Sequence, residues 1–310
     1  MRDVAPVSAS DGVVAVDVAY CGLCGTDLHI CAGEHPRARP GLVLGHEVSG
    51  RVAADAGGLA AGTKVVINPL LECGTCGTCL EGRPHTCERL RLLGIDVPGG
   101  AAERVAVRVS SLVPIAAGAD LRHLAFAEPL AVAVRAVRRA GLHLGEHAVV
   151  AGGGPIGLAV AACARAAGAA SILLAEPSPA RREVAGALGF DVTDRLPEAR
   201  GDVLFDAAAH PAVAERWAGC LRPGGRVVVV GIYGRPTPVD LQAAAFQELT
   251  VIGTRVYSAA DLQAAIEMIT MRRFDPEPLL TRDVALDDAA AAIGVLRTSA
   301  ELKVLIEVSP

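Results

Sequence analysis

A glycine-rich turn lies between an apolar strand-like run and an apolar helix-like run in HAVVAGGGPIGLAVAACARAAG, which begins at His147. Alone, the pattern Gly152-x-Gly154-x-x-Gly157 is weak. Placed after a strand and before a helix it demands a βα unit. The first glycine allows the tight turn, the second lets a pyrophosphate approach the backbone, and the third lets helix and strand pack closely. Gly152, Gly154, Pro155, Ile156 and Gly157 are the expected cofactor-contacting residues, with phosphate against the free N–H groups of the helix N-terminus. An S-adenosylmethionine site is the other reading of such a loop. The following strand, SILLAEP, ends in Glu176, whose carboxylate can accept both ribose hydroxyls of NAD and repel the 2′-phosphate of NADP. Arg181 and Arg182 are the counter-argument for NADP. They read better as the exposed start of a helix, so NAD is the expected cofactor.

The same alternation continues around the loop. LAFAEPLAVAVRAVRRAG and SPARREVAGALGF read as helices, and DVLFDAAA and GGRVVVVGI as strands. This predicts a parallel sheet with helices on both faces. Before residue 120 the texture differs: VVAVDVAY, LVLGHEVSGRVAA, GTKVVINPL and AAERVAVRV alternate with glycine-rich turns, the pattern of an all-β region. The tail mixes a helix, SAADLQAAIEMITMRRF, with a final strand, ELKVLIEVS. A chain of 310 residues accommodates such a division into domains.

Composition narrows the partners. Aromatics are 3%, net charge is −5 and there is no basic tract, which excludes a nucleic-acid or anionic-membrane partner. The start, MRDVAPVSASDGVVAVDV, does not read as a signal peptide. The long apolar stretch 148–175 is broken by Gly152, Gly153, Gly154 and Pro155 and carries Arg165, so a membrane span is not expected. A cytoplasmic chain with reduced cysteines is the expectation, and nine cysteines fit poorly with a complete disulfide framework.

Four of those cysteines, Cys73, Cys76, Cys79 and Cys87, lie in LECGTCGTCLEGRPHTCERL with spacing C-x2-C-x2-C-x7-C. Two-residue spacers let a tight loop fold successive thiolates onto one tetrahedral zinc, and Gly74, Gly77 and Gly82 supply the backbone freedom. Free or redox thiols and an iron–sulfur cluster are the alternatives. Zinc is preferred because no redox partner site is evident. A site with four protein ligands is closed to substrate, so this cluster reads as a staple. Only Arg83, Arg89 and Arg91 stand close by, without a basic recognition helix, which argues against a nucleic-acid-binding finger.

Upstream stand YCGLCGTDLHI and LGHEVSG. Cys24, His46 and Glu47 offer a thiolate, an imidazole and a carboxylate, a mixed set suited to a zinc that stays open. Taken singly, the cysteine is equally a small core residue and the histidine a hydrogen-bonded one.

Together, CGLCGTDLH, GHEVSG, the four-cysteine loop, AEPLAVAV and AGGGPIG resemble, in order and across nearly the whole chain, the zinc-dependent medium-chain dehydrogenases. This is the family of alcohol, polyol and threonine dehydrogenases. The resemblance implies an α/β chain with a GroES-like β-barrel catalytic domain over 1–128, completed by 258–310. It implies a Rossmann doubly wound parallel sheet over 129–257. By it, Cys24 and His46 ligate a catalytic zinc, with Glu47 as ligand or close neighbour, and each chain holds two zinc ions. Thr26 and His29 fall where the family places its proton relay. Glu128, in FAEPLAV, stands where other members use a second cysteine. A glutamate there resembles the polyol and butanediol branches and faces the zinc or its water. A helix N-terminal carboxylate favoured by the dipole is the plainer reading of Glu128.

The implied reaction is reversible. Zinc lowers the pKa of the alcohol, Thr26 takes the proton and passes it through the cofactor ribose to His29 and water, and hydride goes to the nicotinamide. The expected substrate is a secondary alcohol, polyol or sugar-derived alcohol. A threonine 3-dehydrogenase-like enzyme is the runner-up, and a cofactor-binding protein with structural zinc only is the alternative of a different class. A homodimer or homotetramer is implied. Cys163 and Cys220 read as core residues, and Cys21 and Cys31 have no assigned role. Arg135 stands where many relatives have histidine, and nothing explains it. An opening strand and turn are expected to be missing before MRDVAPV.

Overall fold

The computed structural model describes residues 12–198, 201–296 and 301–309. The expectation about the short start falls on residues outside these. The chain forms two compact units, one running to Glu128 and resuming at Ser258, the other spanning Pro129–Tyr257. No helix among the described residues is long and apolar enough to cross a membrane.

In the first unit, the strand Val13–Leu23 is the hub. It pairs antiparallel with Lys303–Glu307, Glu47–Val52 and Arg104–Arg108. The period-two pattern explains its orientation: Val14, Val16 and Val18 are buried, and Val13, Ala15 and Asp17 between them are only partly so. Lys64–Ile67 and Leu112–Pro114 extend the sheet on one side, and Leu280–Ala285 joins Lys303–Glu307 in parallel on the other. Val16, Val18, Val65, Ile67, Val304 and Ile306 fill the core against it. The hub strand runs straight into Cys24 and the helix Gly25–Cys31. A short antiparallel pair, Leu70–Leu71 with Arg91–Leu92, pins the two ends of the loop that carries the four-cysteine cluster.

In the second unit, the expected parallel sheet forms. Its order is Asp191–Thr193, Ser171–Ala175, His147–Ala151, Gly201–Asp206, Leu221–Val229, Thr250–Gly253, and every pairing is parallel. The run of apolar residues in Gly201–Asp206, buried throughout, is what a strand covered on both faces needs. From His147–Ala151 the chain winds outward to one edge, then returns to place Gly201–Asp206 on the other side of that same strand. Its carboxyl end is therefore the switch point where such sheets bind ligands. The glycine loop sits there.

Two of its glycines are forced. Gly152 has φ +101°, a region that side-chain-bearing residues rarely enter. A Cβ on Gly157 would lie 1.9 Å from the Gly152 carbonyl oxygen, so only glycine lets the helix Pro155–Ala166 start this close to the turn. Gly157→Ala must push backbone apart. It is expected to lower unfolding free energy by about 1–3 kcal/mol in a denaturant titration, with weakened dinucleotide binding. Unchanged stability would contradict this reading of the turn.

Candidate metal centres and cofactor loop

In the loop between Leu70–Leu71 and Arg91–Leu92, called the lobe below, the ligand atoms of Cys73, Cys76, Cys79 and Cys87 lie within 4.8 Å of one another. Sγ–Sγ separations are 3.5 Å for Cys73–Cys87 and 3.8 Å for Cys76–Cys87. Metal–sulfur bonds of about 2.3 Å in a tetrahedron require sulfur edges of about 3.8 Å, whereas a disulfide needs about 2.05 Å. Donors surround the sulfurs. Cys73 N–H and Arg89 N–H donate to Cys87 Sγ at 3.4 and 3.3 Å, and the Arg89 guanidinium donates to Cys73 Sγ at 3.4 Å. The thiols are polarised apart. The Thr75 N–H hydrogen bond leads in holding Cys73 down to about 5, and the Thr78 hydroxyl leads in holding Cys76 at about 7. Burial and the hydrogen bond with Cys76 push Cys79 up to about 12. Four thiolates this close cannot all ionise without a cation among them, and a divalent ion satisfies all four.

The second cluster is built where the hub strand ends. Cys24 is the N-cap of Gly25–Cys31, and its N–H donates to Asp27 Oδ2 at 2.9 Å. His46 directly precedes the strand Glu47–Val52. The ligand atoms of Cys24, His46 and Glu47 lie within 4.8 Å of one another. His46 Nδ1 and Asp27 Oδ1 are buried without a hydrogen-bond partner among the described residues. A ligating imidazole commonly gives its second nitrogen to a carboxylate, and Asp27 is the acid whose charge acts on His46 beside those of Cys24 and Glu128. Burial works to lower the His46 pKa, but the hydrogen bond with Cys24 and these charges raise it well above its ordinary value. The surroundings favour a cation at this spot, and the donor set of sulfur, imidazole and carboxylate fits zinc.

Not every expected residue joins that set. Glu128, near the start of the helix Ala127–Ala140, is buried and contributes charge, but it lies outside the group of mutually close ligand atoms. Thr26 Oγ1 is 3.6 Å from Cys24 Sγ. His29 is 65% exposed and meets Glu34 at 2.8 Å. Sequence reading missed Lys303. Its Nζ donates to Glu47 Oε1 and Oε2 at 2.7 and 2.9 Å and to the Leu23 carbonyl at 3.0 Å. Burial works to lower the Lys303 pKa, yet Glu47 and Cys24 raise it above its usual value. The only available signal was a lysine inside the apolar run of ELKVLIEVS.

At the glycine loop, Gly154 caps the helix Pro155–Ala166 without a side-chain hydrogen bond, which leaves the first N–H groups for an anion. A Cβ on Gly154 would meet only Arg181 Nη1, at 3.9 Å. Glu176 is buried. Its Oε2 accepts from Gly153 N–H at 2.7 Å and its Oε1 from Ser178 N–H at 2.8 Å. Each oxygen retains a second acceptor site. Arg182 donates to the carbonyls of Glu176 and Pro177.

Cys76→Ser is expected to cost the lobe its metal and lower the thermal midpoint. Structural zinc contributes roughly 10–16 kcal/mol of binding free energy to folding. A variant with the parent's midpoint and metal content would contradict the staple.

Comparison with known proteins agrees with this architecture. The model of the alcohol dehydrogenase GroES-like domain matches residues 10–117, and that of the zinc-binding dehydrogenase matches residues 155–271. The chain is 37% identical to the 2-dehydro-3-deoxy-L-galactonate 5-dehydrogenase of Pseudoalteromonas atlantica, over 97% of this chain and 93% of that one. It is 31% identical to the L-idonate 5-dehydrogenase (NAD(P)(+)) of Escherichia coli, over 90% of this chain and 86% of that one. A zinc-binding dehydrogenase structure from Sinorhizobium meliloti, bound to NADP, superposes with TM-score 0.92 at 29% identity, covering 99% of this chain and 95% of that one. Likeness on this scale, over both the cysteine-rich and the glycine-loop regions, shows that the chain belongs to the zinc-type medium-chain dehydrogenases and is an oxidoreductase of that family.

Proposed function

We propose that the protein oxidises, reversibly, a secondary hydroxyl of a sugar acid, with NAD as hydride acceptor. The observation that carries the reaction is the grouping of the Cys24, His46 and Glu47 ligand atoms, beside which His46 Nδ1 and Asp27 Oδ1 are buried without a hydrogen-bond partner among the described residues. A zinc ion held there supplies the Lewis acidity that makes an alcohol proton easier to remove. Cys24 and His46 hold it, and Asp27 steadies both by accepting the Cys24 N–H and lending its charge to His46.

Thr26 offers the hydroxyl beside the ligand set that relays the substrate's proton, its oxygen accepting that proton as its own hydrogen passes on toward His29. His29, whose side chain is mostly exposed, delivers a proton to water. NAD held at the glycine loop would supply the hydride acceptor, and the balanced reaction would turn alcohol and NAD into ketone, NADH and a proton. Gly152, Gly154, Pro155, Ile156 and Gly157 hold the pyrophosphate, and Glu176 takes the ribose hydroxyls, which favours NAD over NADP. Arg181 contributes to the same phosphate environment. The four cysteines of the lobe hold a second, structural zinc.

The substrate class is supported by the relatives. Both named above are dehydrogenases acting at position five of a sugar acid. The test is NADH formation by purified protein, with NADP in parallel, across sugar acids, the matching polyols without a carboxylate, butanediol and threonine. Recognition of the carboxylate through a charged hydrogen bond is worth about 1.5–3 kcal/mol. The acids should therefore exceed their polyols in kcat/KM by roughly ten- to a hundredfold. Equal values for acid and polyol would remove the sugar-acid reading, and turnover of threonine alone would replace it with the 3-hydroxy amino acid.

A further inference from the structure

A second buried acid stands at the glycine turn, and it is used differently from Glu176. Asp206 ends the strand Gly201–Asp206 and pairs in register with Ala151, the residue before Gly152. It is 0% exposed. Its Oδ1 accepts from the Ala208 and Ala209 N–H groups at 3.2 and 3.0 Å. Its Oδ2 accepts from the Trp217 indole at 3.0 Å and from the Tyr233 hydroxyl at 2.5 Å. A carboxylate oxygen has two acceptor sites, so all four are taken. Glu176 keeps acceptor capacity for a ligand, and Asp206 keeps none.

What this carboxylate holds is the turn 207–209. Ala209 has φ +49°, a conformation that a residue with a side chain rarely adopts, and its N–H bond to Asp206 keeps it there. The glycine loop rests on this turn. A Cβ on Gly152 would lie 3.2 Å from the Ala208 nitrogen, and the Ala207 N–H donates to the Ala151 carbonyl at 3.0 Å. The exit of the strand Leu221–Val229 abuts the turn as well. A Cβ on Gly231 would lie 2.8 Å from Ala209 Cβ, and the Val230 and Gly231 N–H groups both donate to the Asp206 carbonyl at 2.9 Å. Burial and the hydrogen bond to Asp206 push the Tyr233 phenol above its ordinary value, so it keeps the proton that it donates.

We propose that Asp206 is a positioning residue for the dinucleotide. With its acceptor sites filled, it acts through the turn and not on the ligand. By gathering four donors it fixes the turn 207–209 behind Gly152. Through that contact it sets where the loop 152–157 presents its N–H groups to the pyrophosphate. Tyr233 acts through the same carboxylate. This rests on the reading above that the glycine loop holds the cofactor.

The test uses the full, zinc-loaded chain at a temperature where circular dichroism shows the protein folded. NADH is titrated by its own fluorescence, with NADPH in parallel. Three variants are compared with the parent: Tyr233→Phe, Asp206→Asn and the two together. Loss of one hydrogen bond should raise the NADH dissociation constant roughly two- to tenfold in Tyr233→Phe. An amide must turn its NH2 toward one pair of donors, so Asp206→Asn should raise it roughly ten- to a hundredfold. KM for NAD should rise in step, with kcat at saturating NAD not reduced. In the double variant Tyr233→Phe should add nothing, because the two side chains act as one unit. A purely architectural role would lower the thermal midpoint and leave NADH affinity alone. Folded Tyr233→Phe and Asp206→Asn proteins with the parent's dissociation constant therefore overturn the proposal. If Asp206→Asn does not fold, Tyr233→Phe decides on the same criterion. Losses that multiply in the double variant also overturn it, since each side chain would then act alone. Parent protein that binds neither NADH nor NADPH overturns the cofactor reading itself, and that outcome is distinct from the others.

Discussion

The ion pair between Lys303 and Glu47 ties the start of the strand Glu47–Val52 to the last strand across 256 positions of sequence. Neither residue tolerates its burial alone, since an unpaired charge inside a protein costs several kcal/mol. The pairing of Val13–Leu23 with Lys303–Glu307 is thereby coupled to the placement of Glu47, and through it to His46 next to it in sequence. The hub strand serves both ends of this arrangement. It carries the Leu23 carbonyl that completes the Lys303 shell, and it ends at Cys24. Residues from the beginning and the end of the chain are thus needed together before the second cluster has its shape.

The two clusters solve the problem of close negative charge differently. In the lobe, four sulfurs from one loop surround a single point, with N–H donors and Arg89 on their outer sides. A metal held there would have every ligand position filled by protein, so it would add stability and leave no place for chemistry. In the second cluster the donors are mixed and come from separate segments, and the nearest carboxylate is claimed by Lys303. A site of that kind keeps capacity for a reacting oxygen, at the expense of needing the rest of the unit to hold it together.

This contrast also explains what the sequence disclosed. The grouping of the four cysteines was legible because they are local, and spacing within one loop is a direct statement of geometry. The glycine turn was legible for the same reason. Gly152 and Gly157 respond to neighbours in their own βα unit, and the alternating apolar runs around them predict the parallel sheet that forms. Cys24 and His46 could be named from their motifs. Lys303 could not, because its role depends on strand register between distant segments, and a lysine in a terminal strand ordinarily points to solvent. The separation of Glu128 from the close ligand set is likewise a matter of packing at the start of a helix, which its motif does not encode. Asp27 was in plain view within CGTDLHI, but its bond to the Cys24 N–H follows from the capping geometry of that short helix.

The central claim is that one chain carries two separate metal centres, of which the one at Cys24 and His46 does the chemistry. The most direct test is metal analysis of the purified chain and of Cys24→Ser, with NADH binding measured alongside. Two zinc ions in the parent, one in Cys24→Ser, and retained NADH binding with lost turnover is the predicted result. A single zinc in the parent that persists in an active Cys24→Ser would contradict the account.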